Sequence, residues 1–154
     1  MKVLLAVDGS PCSDAAVRSV AERPWPAGSE IEVVTVVHTS MPLIPDPTLT
    51  GVGMYWSSLE EDRQNAPTRV EMAQHRLADA LGTTVTGAVL EGDPSHAIVD
   101  EARRWHADLV VVGSHGYGVA KKVALGSVSQ RVAAHAPCSV EIVRCPHLSD
   151  TEAP

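Results

Sequence analysis

Apolar residues follow two rhythms along the chain: runs of strand length, and stretches with a helical period. The strand-length runs are residues 2–7 (KVLLAV), 30–37 (EIEVVTVV), 83–90, 108–112 (DLVVV) and 139–143 (SVEIV). A helix is predicted over 10–23, with Ser10 as N-cap, Pro11 in the first helical position and Ala16, Val17, Val20 and Ala21 on its apolar face. A second is predicted over 67–81, where Val70, Ala73, Leu77 and Leu81 share a side and Gly82 ends it. Asp93 and Pro94 open a third, with Ile98, Ala102 and Trp105 facing the core, and residues 127–136 form a fourth, stopped by Pro137.

Two stretches break the rhythm. Residues 38–58 carry Pro42, Pro45, Pro47, Gly51 and Gly53. They read as a long loop, either a mobile flap that contacts a partner or a plain surface insertion. Residues 113–126 read as a glycine-punctuated loop with a helical turn near 119–123, and the tail from 146 to 154 reads as disordered.

Strand and helix thus alternate five strands deep in a single domain over residues 1–145. Continuous Val/Leu runs suit strands covered on both faces, as in parallel sheets. Right-handed crossovers then predict a doubly wound open α/β sheet, Rossmann-like, with helices on both faces and strand order 3-2-1-4-5. Ligands of such sheets sit beyond the carboxyl ends of the strands, where the strand order reverses. The segments after strands one and four, Asp8-Gly9-Ser10 and Gly113-Ser114-His115-Gly116, are therefore the ones to inspect.

Composition narrows the chemistry. The chain has 154 residues and a formal net charge of −7, which disfavours a nucleic-acid partner. With no Phe, two Tyr and three Trp, the core must be aliphatic. Three cysteines, Cys12, Cys138 and Cys145, show no CxxC spacing. A disulfide or zinc framework is not expected, Cys12 and Cys138 read as small apolar packing groups, and a reducing, cytoplasmic setting follows. The first apolar run is short for a signal peptide, and no stretch has the length of a membrane span.

Gly126 and Ser127 stand where the last helix begins, and helix N-termini bind phosphate through their amides and partial positive charge. Ser127 and Ser129 offer hydroxyl donors as well. Gly113, Gly116, Gly126 and Ser127 together match Gly-x2-Gly-x9-Gly-[Ser/Thr]. With Asp8 ending the first strand, the Gly92-Asp93-Pro94 segment and Pro137, this pattern resembles the universal stress protein family, in its ATP-binding subclass, from residue 2 to 144. Walker and GxGxxG patterns are missing from the places where other phosphate-binding folds need them.

The resemblance implies an ATP site, Mg2+ included, in which Gly113, Gly116, Gly126, Ser127, Val128 and Ser129 hold ribose and phosphates. Asp8 lies by the nucleoside, after Ala6 and Val7, and Val112 leads into the glycine motif. Backbone at Val36 or Val37 meets the adenine. His115 is either a phosphate contact or an exposed loop histidine, Asp8 either a ligand or a cap of its own turn, and Lys121 and Lys122 either neutralise phosphate or are solvated. The resemblance further implies a stress-response sensor or regulator that dimerises through its last strand, where Ser139 and Glu141 interrupt the apolar run of Val140, Ile142 and Val143. A slow ATPase and a nucleotide-free dimeric scaffold are the alternatives. No protein partner can be read from the residues.

Overall fold

The computed structural model describes residues 1–39, 49–116 and 125–145, with the backbone alone at 49–52. Its elements are β1 (Lys2–Ala6), α1 (Pro11–Ala21), β2 (Glu30–His38), α2 (Leu49–Leu81), β3 (Val85–Gly92), α3 (Pro94–Arg104), β4 (Leu109–Gly113), α4 (Ser127–His135) and β5 (Ser139–Val143). The five strands form one parallel sheet in the order β3-β2-β1-β4-β5, as the sequence predicts. Strand alternation sorts the apolar side chains into two cores. Val3, Leu5, Ile31, Val33 and Val111 pack with Val17 and Val20 of α1 and Val70 and Leu77 of α2. On the opposite face, Leu4, Val34, Val110 and Val112 pack with Ile98, Val99 and Ala102 of α3 and Val132 of α4.

The caps behave as their residue types dictate. The Ser13 amide donates to Ser10 Oγ at 3.2 Å, and the His96 amide donates to Asp93 Oδ1 at 3.1 Å, each cap followed by a proline in the first turn.

Two expectations are corrected. The first is the long loop: α2 starts at Leu49 and runs through Pro67, so residues 49–58 are helical. An apolar contact carries this extension. Leu59 and Ala66 pack on Val37, with Tyr55 alongside, and the Tyr55 hydroxyl donates to the Thr39 carbonyl at 2.9 Å. The prolines and glycines that suggest a loop fall mostly before or at the first turns of this helix, and residues 40–48 lie outside the described ones.

The second correction concerns the cysteines. Cys12 and Cys145 form a disulfide across 133 positions, with Cα atoms 4.9 Å apart. Spacing rules look for local patterns; here the topology brings the start of α1 to the exit of β5. Cys138 is a free, half-buried thiol whose pKa burial pushes up, with the charge of Asp108 adding to it. The helical turn expected near 119–123, Lys121, Lys122 and the tail all lie outside the described residues.

Candidate functional site

A cavity of about 920 Å³ opens at the carboxyl ends of the strands, where β1 and β4 lie side by side and the connections leave in opposite directions. Its walls come from β1, β2 and β4, the turns after β1 and β4, and the helices around them. Ala6, Val7, Asp8, Val36, Val112, Gly113, His115, Gly116, Gly126, Ser127, Val128 and Ser129 all line it. Of the residues singled out in the sequence, Val37 stands apart. Alternation turns its side chain to the α2 face, where it is 1% exposed under Leu59 and Ala66, whereas Val34 and Val36 line the cavity.

Asp8 serves the local turn and the cavity at once. Its Oδ1 accepts from the Ser10 amide at 2.9 Å, and its own amide donates to Ser13 Oγ at 3.2 Å. Its Oδ2 lies above Gly116, so close that a Cβ there would stand 2.6 Å from it. A glycine at 116 is what lets the carboxylate approach this backbone.

The glycine motif works by close approach throughout. A Cβ on Gly113 would meet the Cys12 carbonyl carbon at 2.7 Å and the Ser13 amide nitrogen at 2.9 Å, so the end of β4 abuts the first turn of α1. Ser114 is the knot of the loop. Its amide donates to the Val143 carbonyl at 2.8 Å, and its carbonyl accepts from the Gly126 amide at 2.8 Å and from Ser129 Oγ at 3.1 Å. Both ends of the intervening segment are thereby pinned together at the mouth of the cavity.

Gly126 is the N-cap of α4 and no side chain caps the helix, so the amides of Ser127, Val128 and Ser129 end the helix at the cavity wall. The Ser129 hydroxyl turns inward to the Gly126 and Ser114 carbonyls, which leaves its amide as the group presented; Ser127 is exposed. His115 is half-buried, its Nδ1 lies 3.1 Å from Ser114 Oγ, and its carbonyl accepts from Ser10 Oγ at 3.2 Å.

The sequence did not point to the α2 wall. Asp62, Asn65, Arg69, Met72 and Arg76 line the cavity from the side of α2, and Asp14 and Val17 from α1. Arg69 pairs with Asp62 across Pro67, and Arg76 is exposed. Arg69 and Arg76 were visible on the polar side of the 67–81 helix, whereas Asp62 and Asn65 fall in the extension that precedes Pro67. Among the described residues, no group of three His, Cys, Asp or Glu is placed to hold a metal ion, and no helix is long and apolar enough to cross a membrane.

Known proteins match this architecture. The model of the universal stress protein family matches residues 1–144. A universal stress protein of Thermus aquaticus is 34% identical over 146 residues, covering 92% of this chain and 97% of that one. One from Methanocaldococcus jannaschii is 30% identical over 145 residues, covering 94% and 82%. The solved structure of universal stress protein UspA from Lactobacillus plantarum superposes with a TM-score of 0.75 at 25% identity, over 94% of this chain and 97% of that one. Two further neighbours were solved with nucleotides: an Arabidopsis thaliana family member with AMP bound (TM-score 0.68, 20% identity, 94% and 91% covered) and the Archaeoglobus fulgidus universal stress protein in complex with dAMP (0.64, 22%, 93% and 97%). On its sequence and its fold alike, this chain belongs to the universal stress protein family.

Proposed function

We propose that the chain is a nucleotide-responsive regulator that binds an adenine nucleotide, ATP foremost, at the strand ends. One observation carries this reading: the Asp8 carboxylate, the turn at 113–116 and the uncapped start of α4 converge on one cavity. The AMP and dAMP held by the Arabidopsis and Archaeoglobus neighbours support the choice of an adenylate.

Each wall has a matching role. The first-turn amides of α4 and the backbone at Gly113 and Gly116 suit phosphate oxygens, because amides at a helix start carry partial positive charge. Asp8 is placed to accept from ribose hydroxyls. Val34, Val36 and Ile98 give the base an apolar seat beside the backbone of β2. Mg2+ that arrives on the phosphates and keeps its waters suits this cavity better than an ion held by protein alone, because among the described residues no group of three His, Cys, Asp or Glu is placed to hold one. Nucleotide occupancy, cytoplasmic stress signalling and pairing of two copies along the β5 edge form one working picture. Glu141 does not obstruct that edge: Arg23 and Ser19 of α1 hold it within the protomer.

Melting curves with ATP, ADP, AMP and cAMP, each with and without Mg2+, test the reading. A ligand at 100 times its dissociation constant adds about 2.7 kcal/mol to the folded state. A clear rise in Tm with at least one adenylate is expected, and no shift with any of them refutes the proposal. Phosphate release assayed beside it separates a sensor from a slow ATPase: turnover above that of Gly116→Val would assign an enzyme.

A further inference from the structure

We propose that Cys12–Cys145 is a thiol–disulfide control site that sets the affinity of the nucleotide cavity; the inference rests on the nucleotide reading above. Three observations carry it. The bridge ties the exit of β5, an edge strand, to the first turn of α1, next to the cavity-lining Ser13 and Asp14. Ser114 donates from its hydroxyl to Cys12 Sγ at 3.6 Å, and this same residue pins β5 through Val143 and α4 through Gly126 and Ser129. Gly113 leaves no room for a Cβ against the backbone of Cys12 and Ser13, so a shift of that turn is felt at the end of β4.

The two sulfurs are unequal. Cys12 is 2% exposed, whereas Cys145 is only partly buried. A dithiol reductant therefore attacks Cys145 Sγ as a thiolate. The S–S bond breaks, its electron pair goes to Cys12, and a mixed disulfide forms at Cys145. Cys12 is the leaving group because it is the buried partner, and the incoming thiolate reaches only the Cys145 sulfur. The second thiol of the reductant then displaces Cys145. The reductant ends as a disulfide, and its two protons end on Cys12 and Cys145. In reducing compartments protein disulfides are usually of this transient, sensing kind.

With the bridge closed, the Ser114 knot is held from the α1 side as well as from β5 and α4, and the cavity is preorganised. Opening it removes the covalent hold, and nucleotide affinity falls.

The test uses the full chain carrying Cys138→Ser, so that only the pair titrates. Alkylation followed by mass measurement counts the thiols, and calorimetry with ATP gives Kd before and after dithiothreitol. The expected result is no labelled thiol in the oxidised protein, two after reduction, and a Kd raised about five-fold or more on reduction. Adding Cys145→Ser should reproduce the reduced Kd and abolish the response to dithiothreitol. Two labelled thiols without reductant, an unchanged Kd, or tighter binding on reduction would each overturn the proposal. Loss of ATP binding in both states points instead to failure of the nucleotide reading, and the thiol count then still reports the bridge.

Discussion

At the scale of single residues, Gly116 and two glutamates make the sharpest claims. Valine at 116 would drive a side chain into Asp8 Oδ2, so Gly116→Val should weaken adenylate binding at least about ten-fold, or 1.4 kcal/mol, with the far-ultraviolet circular dichroism unchanged. Retained affinity would show that Asp8 and this turn do not meet the ligand. Glu32 and Glu141 should respond to pH in opposite senses. Glu32 is 7% exposed, and its Oε2 has no hydrogen-bond partner. Burial first, then the neighbouring Glu101, raises its pKa, while Arg104 and Lys2 pull the other way. Its folded-state pKa lies above the unfolded one, so its favourable contribution is complete at low pH and fades as pH climbs through the folded value. Glu32→Gln should therefore gain stability over the parent as pH rises from acid to neutral, by about 1 kcal/mol. Glu141 is the reverse. Hydrogen bonds from Arg23 lower its pKa against the opposing effect of burial. Its contribution is present above the unfolded carboxyl pKa and is lost as pH falls through the folded one. Glu141→Gln should cost at most about 1 kcal/mol at neutral pH after solvent screening, and nothing in strong acid. Urea melts across pH read both.

At the scale of elements, the extended α2 is the feature to probe. Leu59 is 8% exposed against Val37 and Ala66, so Leu59→Ala should cost about 2 kcal/mol in a denaturant melt. In a plain surface loop the same change would cost almost nothing. This element also marks where legibility in the sequence stopped. The strands were readable because β1 and β4 are continuous apolar runs and the others are short Val- and Ile-rich stretches between helical segments, and α1 and α3 because Ser10-Pro11 and Asp93-Pro94 announce their starts. The glycine spacing alone marks one wall of the cavity. The first half of α2 was hidden because Pro67 looks like a helix start in sequence, and because the contact that supports residues 55–66 comes from the distant end of β2. Asp62 and Asn65, which line the cavity from that half, were lost with it. The disulfide was illegible for a related reason: only the position of β5 beside β4 brings Cys145 near Cys12.

For the whole molecule, the Cys12–Cys145 bridge closes nearly the entire chain into a loop. In the chain-entropy picture, a closure spanning 133 positions stabilises the fold by about 5 kcal/mol. The reduced protein should accordingly melt at a clearly lower temperature than the oxidised one, and equal Tm values would remove the bridge from the stability of the fold. Pairing of two copies along the β5 edge, as proposed above, predicts two chains per particle by light scattering on a chromatographic peak, and one chain per particle would contradict it. The proposed function turns on whether the strand-end cavity takes a nucleotide. Calorimetric titration of ATP with Mg2+ into the oxidised protein asks this most directly. We expect saturable binding of one ATP per chain, weakened at least about ten-fold in Gly116→Val; a flat titration in the unaltered protein, repeated with AMP, would contradict the central claim.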